Sequence, residues 1–214
     1  MIPRDPSGTA WSDSSLHAAG GFSYEMGFWW YIRWPDDIQK RTLKCVSSNK
    51  DGTLITINAL EYAFLIINYV AATHVLVHDC PSVDNPNPMV LLYTDNTAAE
   101  SWMKKASSSS DGARALGYIQ AALMLNNPVG IYVDRVTTTD NVVADKISRV
   151  ASETHLAADI STLCQEFPQL KSCQRFHPSV ELTSLILETL STKKYVDPLT
   201  VSRRVLASPG RITT

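Results

Sequence analysis

The sequence predicts an α/β fold in which a mixed β-sheet carries helices on both faces. Along the chain, the patterns run as three strands, a helix, a strand, two helices, a strand and a helix. The most apolar strand pattern, residues 89–93, is followed at once by a helix start, which is typical of a strand buried inside a sheet. From about residue 153, prolines interrupt short helical patterns. We therefore expect a main domain at residues 8–152 and a small helical extension at residues 153–214.

Composition limits the classes of function. Of the 214 residues, 44% are hydrophobic and 19% are charged, values typical of a globular protein. The net charge of -2 argues against a nucleic-acid binder that works by bulk positive charge. Binding to nucleic acid would then need a local basic patch or bound divalent cations. No apolar run approaches the length of a membrane span, so we expect no membrane partner.

Four cysteines are scattered along the chain without a paired spacing. This pattern indicates reduced thiols in an intracellular protein, in the cytoplasm or nucleus. Two groups contain zinc-ligand residue types, but neither has the spacing of a zinc site, so we expect none. The first group is His74, His78 and Cys80, and the second is Cys164, Cys173 and His177.

The first half of the chain is predicted to form an antiparallel meander and a helix. Residues 22–32 alternate with period two, which predicts a strand that breaks near Gly27. A polar segment follows at 39–52, and the β-branched run at 53–57 predicts another strand. Asn58 is the expected cap of the next helix. Its core face would carry Leu60, Phe64, Ile67 and Ala71.

The second half supplies the remaining elements. Thr97 and Glu100 form a capping-box pattern, which predicts a helix from there to about Lys105. A serine-rich link at 107–112 leads to a helix, and residues 129–133 form a short strand. The last helix of the domain is expected at 141–152. In the extension, helical patterns cover residues 156–167, 180–190 and 199–206.

Four carboxylates fall at strand ends or early helix turns, namely Asp13, Glu61, Asp95 and Asp145. Carboxylates packed together repel each other, so a cluster of them persists best when divalent cations neutralise it. Oxygen-only ligands suit Mg²⁺ or Mn²⁺, and two such ions can activate a water against a phosphodiester.

Each acid also has a purely structural interpretation. Asp13 fits a turn or cap, and Glu61 fits a capping partner of Asn58. Asp95 could satisfy backbone N–H groups at its helix start, and Asp145 could pair with Lys146 or Arg149.

Four motifs together resemble the ribonuclease H domain of retroelement reverse transcriptases, as found in retrotransposons and retroviruses. They are Ser12-Asp13-Ser14-Ser15 before Gly20-Gly21, Asn58-Ala59-Leu60-Glu61, Tyr93-Thr94-Asp95-Asn96, and the segment from Asn141 to Arg149. The resemblance covers roughly residues 8–152. It implies a five-stranded mixed sheet of order 3-2-1-4-5 flanked by helices, with Asp13, Glu61, Asp95 and Asp145 as catalytic ligands of two Mg²⁺ or Mn²⁺ ions.

The resemblance further implies an endoribonuclease that cuts the RNA strand of RNA–DNA hybrids. Ser14, Ser15, Asn96 and Thr97 are candidate substrate contacts. Arg135, Lys104, Lys105 and Arg114 are candidate phosphate contacts, and Trp29, Trp30 and Trp34 either stack on bases or pack in the core. The chain lacks polymerase motifs, so a reverse transcriptase domain of a parent polyprotein is a candidate partner.

The chain departs from the family in one loop. Many family members carry a histidine before the last helix, and residues 134–140 contain none. Two alternatives therefore stay open. One is a catalytically silent domain that binds nucleic acid or protein, and the other is a 3′–5′ exonuclease on the same fold.

Overall fold

One mixed sheet of seven strands organises the protein. The computed structural model describes residues 5–47, 54–79, 88–105, 108, 110–206 and 208–213. The strands are β1 (Gly8–Ser14), β2 (Ala18–Ser23), β3 (Phe28–Arg33), β4 (Met89–Thr94), β5 (Gly130–Arg135), β6 (Gln174–Pro178) and β7 (Gly210–Thr213). They lie side by side in the order β5-β4-β1-β2-β3-β6-β7.

Eight α-helices lie in the described ranges. They are α1 (Asp36–Ser47), α2 (Ile57–His74), α3 (Thr97–Lys105), α4 (Asp111–Leu125), α5 (Val142–Ser148), α6 (Leu156–Glu166), α7 (Val180–Thr192) and α8 (Pro198–Val201). Two short π-helical turns, Val75–Asp79 and Ser202–Leu206, continue α2 and α8. A 3₁₀ turn, Pro168–Ser172, precedes β6.

Strand pairing brings two strand ends to one edge of the sheet. β1 pairs antiparallel with β2 and parallel with β4, and Trp11 of β1 lies opposite Tyr93 of β4. β5 pairs parallel with β4 on the far side. Because parallel strands end at the same edge, the residues that follow Trp11 and Tyr93 meet there.

The region between β2 and α2 confirms one prediction and corrects two. The alternating run 22–32 does break at Gly27, whose φ of +66° is one that glycine adopts without strain. Part of the polar segment 39–52 forms the helix α1 instead of a loop. The strand predicted at 53–57 is wrong, because the Thr56 hydroxyl caps α2 by accepting the Ala59 N–H at 3.2 Å. Residues 48–53 lie outside the described ranges.

Helix α2 is the core of the molecule. Every residue from Ala59 to Thr73 is buried, so the predicted apolar stripe extends around the whole helix. Trp30 of β3 donates a hydrogen bond to Asn68 at 3.0 Å, and the Tyr69 hydroxyl donates to the Val129 carbonyl at 2.9 Å. These bonds satisfy polar groups that the surrounding apolar side chains would leave without partners.

The length of α2 corrects the expectation that no apolar segment is long enough to span a membrane. The helical stretch Ile57–His78 has 22 residues, and an 18-residue window of it has a mean hydropathy of 1.5, which meets the length and composition of a span. Within the fold, 89% of that window is buried against the rest of the protein. Such burial is also what the central helix of a globular domain requires.

The C-terminal segment is not purely helical as expected. Its predicted helices at 156–167 and 180–190 are confirmed as α6 and α7, but β6 and β7 also join the sheet. β6 pairs parallel with β3 through Phe28 and Trp29, and β7 pairs antiparallel with β6. Phe176 of β6 is completely buried in the same apolar cluster as α2. The sheet therefore has seven strands, and it continues beyond residue 152.

We predict that Phe176→Ala lowers the free energy of unfolding of the whole chain by about 3–5 kcal/mol, because it leaves a cavity in the shared core. Urea denaturation followed by circular dichroism and by tryptophan fluorescence measures this value, and both signals should shift together. Val180→Ala is the control, because Val180 is 75% exposed and its loss should change stability by at most about 0.5 kcal/mol. A fluorescence transition that stays at its wild-type midpoint would contradict the shared core.

Candidate metal centre

Three of the four predicted acids meet at the edge where β1 and β4 end. Asp13, Glu61 and Asp95, called the acidic triad below, each place one carboxylate oxygen within 4.8 Å of the others. Among the described residues, no other set of three histidine, cysteine or acidic side chains comes together in this way. Asp13 and Glu61 are only 6% and 5% exposed, whereas Asp95 is partly exposed.

Backbone geometry explains the meeting of the triad. Asp13 lies two residues beyond Trp11, and Asp95 lies two residues beyond Tyr93, so the register of β1 and β4 sets the two carboxylates side by side. Glu61 lies in the second turn of α2, which packs across β1. The Ser14 backbone N–H donates a hydrogen bond to the Glu61 carboxylate.

Asp145 is the acid that the structure keeps apart from the triad. Arg149, one turn later at the end of α5, donates from Nε and Nη2 to Asp145 Oδ1 at 2.7 and 2.6 Å. The structural alternative for Asp145, pairing with Arg149, is therefore what is observed. Asp145 is nevertheless close enough for its charge to raise the pKa of Asp13.

Burial dominates the electrostatics of the triad. The pKa of Asp13 is raised from 3.8 to about 6, mainly by desolvation and also by the charges of Asp95 and Asp145, whereas a Ser148 hydrogen bond opposes the shift. Burial, and then the charges of Asp13 and Asp95, raise the pKa of Glu61 well above its usual value. Glu61 Oε2 is buried without a hydrogen-bond partner. A proton or a cation on these oxygens would relieve the repulsion.

The chemistry of the ligands fits a hard divalent cation. The triad offers carboxylate oxygens alone, and these are the ligands that Mg²⁺ and Mn²⁺ prefer over softer metals. Glu61 brings one carboxylate oxygen within 4.8 Å of those of Asp13 and Asp95, and its Oε2 has no hydrogen-bond partner that would compete with a cation. The triad can therefore hold one such ion without moving Asp145.

Two hydroxyl groups that were not predicted from the sequence contact the triad. The Ser148 hydroxyl donates to Asp13 Oδ2 at 2.6 Å, and the Thr138 hydroxyl donates to Asp95 Oδ2 at 2.9 Å. Ser148 lies in the motif that contains Asp145, so its position was available as a signal. Nothing in the sequence distinguishes Thr138 from the two threonines beside it.

The predicted substrate contacts take part in local structure. The Ser15 hydroxyl accepts the N–H groups of His17 and Ala18 at 3.1 Å, and the Trp34 indole N–H lies 3.3 Å from the Ser14 hydroxyl. These bonds shape the turn between β1 and β2. A role in binding substrate stays a prediction for both serines.

The start of α3 corrects the predicted capping box. Asn96, and not Thr97, caps the helix, because its Oδ1 accepts the N–H groups of Ala98 and Ala99 at 3.0 Å. Asp95 therefore does not cap α3, although capping was the structural interpretation that its sequence position suggested. Thr97 is exposed, and Arg135 is exposed at the end of β5.

The other candidates have varied environments. Lys104 pairs with Glu100 at 2.6 Å and Arg114 pairs with Asp111 at 3.6 Å. Trp30 and Trp34 are buried and belong to the core, whereas the Arg175 guanidinium lies 5.4 Å from the centre of the half-buried Trp29 ring. Lys105 is exposed. Of the residues considered for zinc, Cys80 lies outside the described ranges, and His177 bonds to the Thr213 hydroxyl at 2.9 Å.

Comparison with known proteins adds no family to this geometry. No protein-family model, curated protein or solved structure matches the chain.

We predict that Asp13→Asn reduces the loss of stability on raising the pH from 4 to 7 in chelator. The raised pKa means that the folded state keeps a proton on Asp13 between pH 3.8 and about 6, where the unfolded chain releases it. Stability therefore falls across this window, and the roughly two pH units correspond to at most about 3 kcal/mol. Urea unfolding at several pH values measures the difference between the two proteins.

Asp111→Asn is the matched control for this measurement, because the Asp111 side chain is 78% exposed. It should keep the wild-type dependence on pH. Wild-type and Asp13→Asn curves that run parallel from pH 4 to 7 would show that Asp13 titrates normally.

Proposed function

We propose that this protein is a metal-dependent endoribonuclease of the ribonuclease H type, which hydrolyses the RNA strand of RNA–DNA hybrids with two Mg²⁺ or Mn²⁺ ions. One observation carries the proposal. Three acids that are far apart in sequence, at positions where the resemblance expects metal ligands, have carboxylate oxygens within 4.8 Å of each other. Two of the three are buried despite the electrostatic cost, and bound cations would offset that cost.

The sheet order gives further support. The seven-stranded sheet includes the run β3-β2-β1-β4-β5, and we take these strands as the counterpart of the five that the resemblance implies. Helix α2 supplies Glu61 from one face of this run, and α5 carries Asp145 over β1 and β2. β6 and β7 extend the sheet beyond β3, on the side away from β4 and β5.

The residues divide the work of hydrolysis. Asp13 and Asp95 would hold the ions between adjacent strand ends, and Glu61 would complete the first site from above. When bound, the ions supply an activated water and neutralise the charge on the leaving oxygen. Asp145, whose Oδ1 accepts both contacts from Arg149, would contribute to a second site from α5.

The proposed substrate suits a protein of low net charge. A hybrid duplex is recognised through its shape, its phosphates and its 2′-hydroxyl groups, with little reading of sequence. With a net charge of -2, the protein would depend on the bound cations and on nearby basic groups such as Arg135. A reverse transcriptase domain in a parent polyprotein would be the natural partner of such a module.

We predict that purified protein with Mg²⁺ cuts a labelled RNA–DNA hybrid at internal positions, and that Asp95→Asn lowers the rate at least about 100-fold. The reason is that a metal ion contributes several kcal/mol to the stabilisation of the transition state. Gel analysis of products, with Asp111→Asn as the active control, measures the effect. Cleavage that persists both in Asp95→Asn and in excess chelator would refute the proposal.

The same gel tests the two alternatives. With a 5′ label on the digested strand, a ladder of products that shorten stepwise from the 3′ end would favour an exonuclease on this fold. Binding to the hybrid without any cleavage would favour the silent domain, which the pairing of Asp145 with Arg149 also suits. Internal cuts in the RNA strand alone support the endonuclease.

A further inference from the structure

Ser148 is in close contact with the most buried part of the triad. Its side chain is completely buried at the end of α5, and its hydroxyl lies 2.6 Å from Asp13 Oδ2. The same hydroxyl also lies 2.9 Å from the backbone carbonyl oxygen of Asp145, one turn earlier in α5. A hydrogen bond to a buried carboxylate both stabilises it and fixes its direction.

The position of Ser148 is fixed by contacts that do not involve the triad. The Ser15 hydroxyl donates to the Ser148 carbonyl at 2.8 Å, and Asn141 donates from its side chain to the Ser12 carbonyl at 3.0 Å. Gly20 of β2 lets α5 come close, since a Cβ there would lie 2.3 Å from Ile147 Cγ2. Helix α5 is thus fastened at both ends to the turn and strand beside Asp13.

The direction of the Asp13 carboxylate needs such a support. Asp13 is buried, and the charges of Asp95 and Asp145 repel its ionised carboxylate, which favours rotation of that carboxylate away from Asp95. The Ser148 hydrogen bond engages one carboxylate oxygen, Oδ2, and restrains that rotation. Metal ligands that lack a hydrogen bond from their surroundings bind metal more weakly.

We propose that Ser148 is a positioning residue that holds the Asp13 carboxylate in the direction needed to bind a divalent cation in the triad. The inference rests on the proposed metal site, and it concerns a residue that touches neither the cation nor the substrate. This role would explain why the last residue of α5 is a buried serine whose hydroxyl contacts Asp13.

The test is the affinity of the whole chain for Mn²⁺ at fixed pH, measured by isothermal titration calorimetry. Ser148→Ala should bind Mn²⁺ about 10- to 100-fold more weakly than wild type, because the carboxylate loses the bond that directs it. Ser148→Thr, which keeps a hydroxyl, should recover most of the affinity. Thr189→Val is the matched control, because it also deletes a buried hydroxyl, on α7, where that group bonds only within its own helix.

Thermal melting without metal, measured on each variant, separates positioning from a loss of folding. A folded Ser148→Ala with wild-type affinity for Mn²⁺ would overturn the inference and leave the proposed function standing. An equal loss of affinity in Thr189→Val would also overturn it, since the effect would then be general. Absence of Mn²⁺ binding by the wild-type chain would instead refute the metal site itself.

Discussion

The parallel pairing of β1 with β4 is the constraint on which the candidate site depends. It fixes the backbones of Asp13 and Asp95 at neighbouring strand ends, so the two side chains start from adjacent positions. A shift by one residue would turn every side chain of β1 to the opposite face and expose its buried partners. The fold therefore enforces a repulsion that a typical protein would avoid, and it adds the buried Glu61 to it.

Helix α2 shows why this repulsion is tolerated. The helix is buried around its whole circumference, so the apolar contacts of residues such as Leu60 and Phe64 hold it against β1 regardless of Glu61. Each large apolar side chain buried in this way contributes about 1.5–3 kcal/mol, and this contribution does not depend on the protonation of Glu61. The apolar contacts of α2 stabilise the fold, and they hold Glu61 in its buried position. Active sites are commonly placed on elements that are stable for other reasons.

Sequence patterns predicted the elements that have a long period or an isolated apolar run. The break at Gly27, the strand β4 and the apolar faces of α2 and α4 were all visible in this way. Short elements were not, because β6 and β7 have only five and four residues and end or begin at Pro178 and Gly210. Helix α1 was hidden in a polar segment. The prediction before α2 was wrong because residues 53–57, which are rich in β-branched side chains, suggest a strand. In the structure, the Thr56 hydroxyl accepts the Ala59 N–H and so caps α2.

The triad was predictable because it depends on strand order, which the pattern of elements already constrains. The environment of Asp145 was not predictable in the same way, because both Lys146 and Arg149 lie within one helical turn of it and either could pair with it. Arg149 lies four residues after Asp145, the spacing at which helical side chains meet, and this local pair forms at no cost in chain entropy beyond that of α5 itself. Both contacts from Arg149 go to Oδ1 of Asp145, and the charge of Asp145 raises the pKa of Asp13. The pairing of Asp145 with Arg149 therefore follows from their spacing on α5, which the sequence shows, whereas the approach of Asp145 to the triad depends on how α5 packs over β1 and β2.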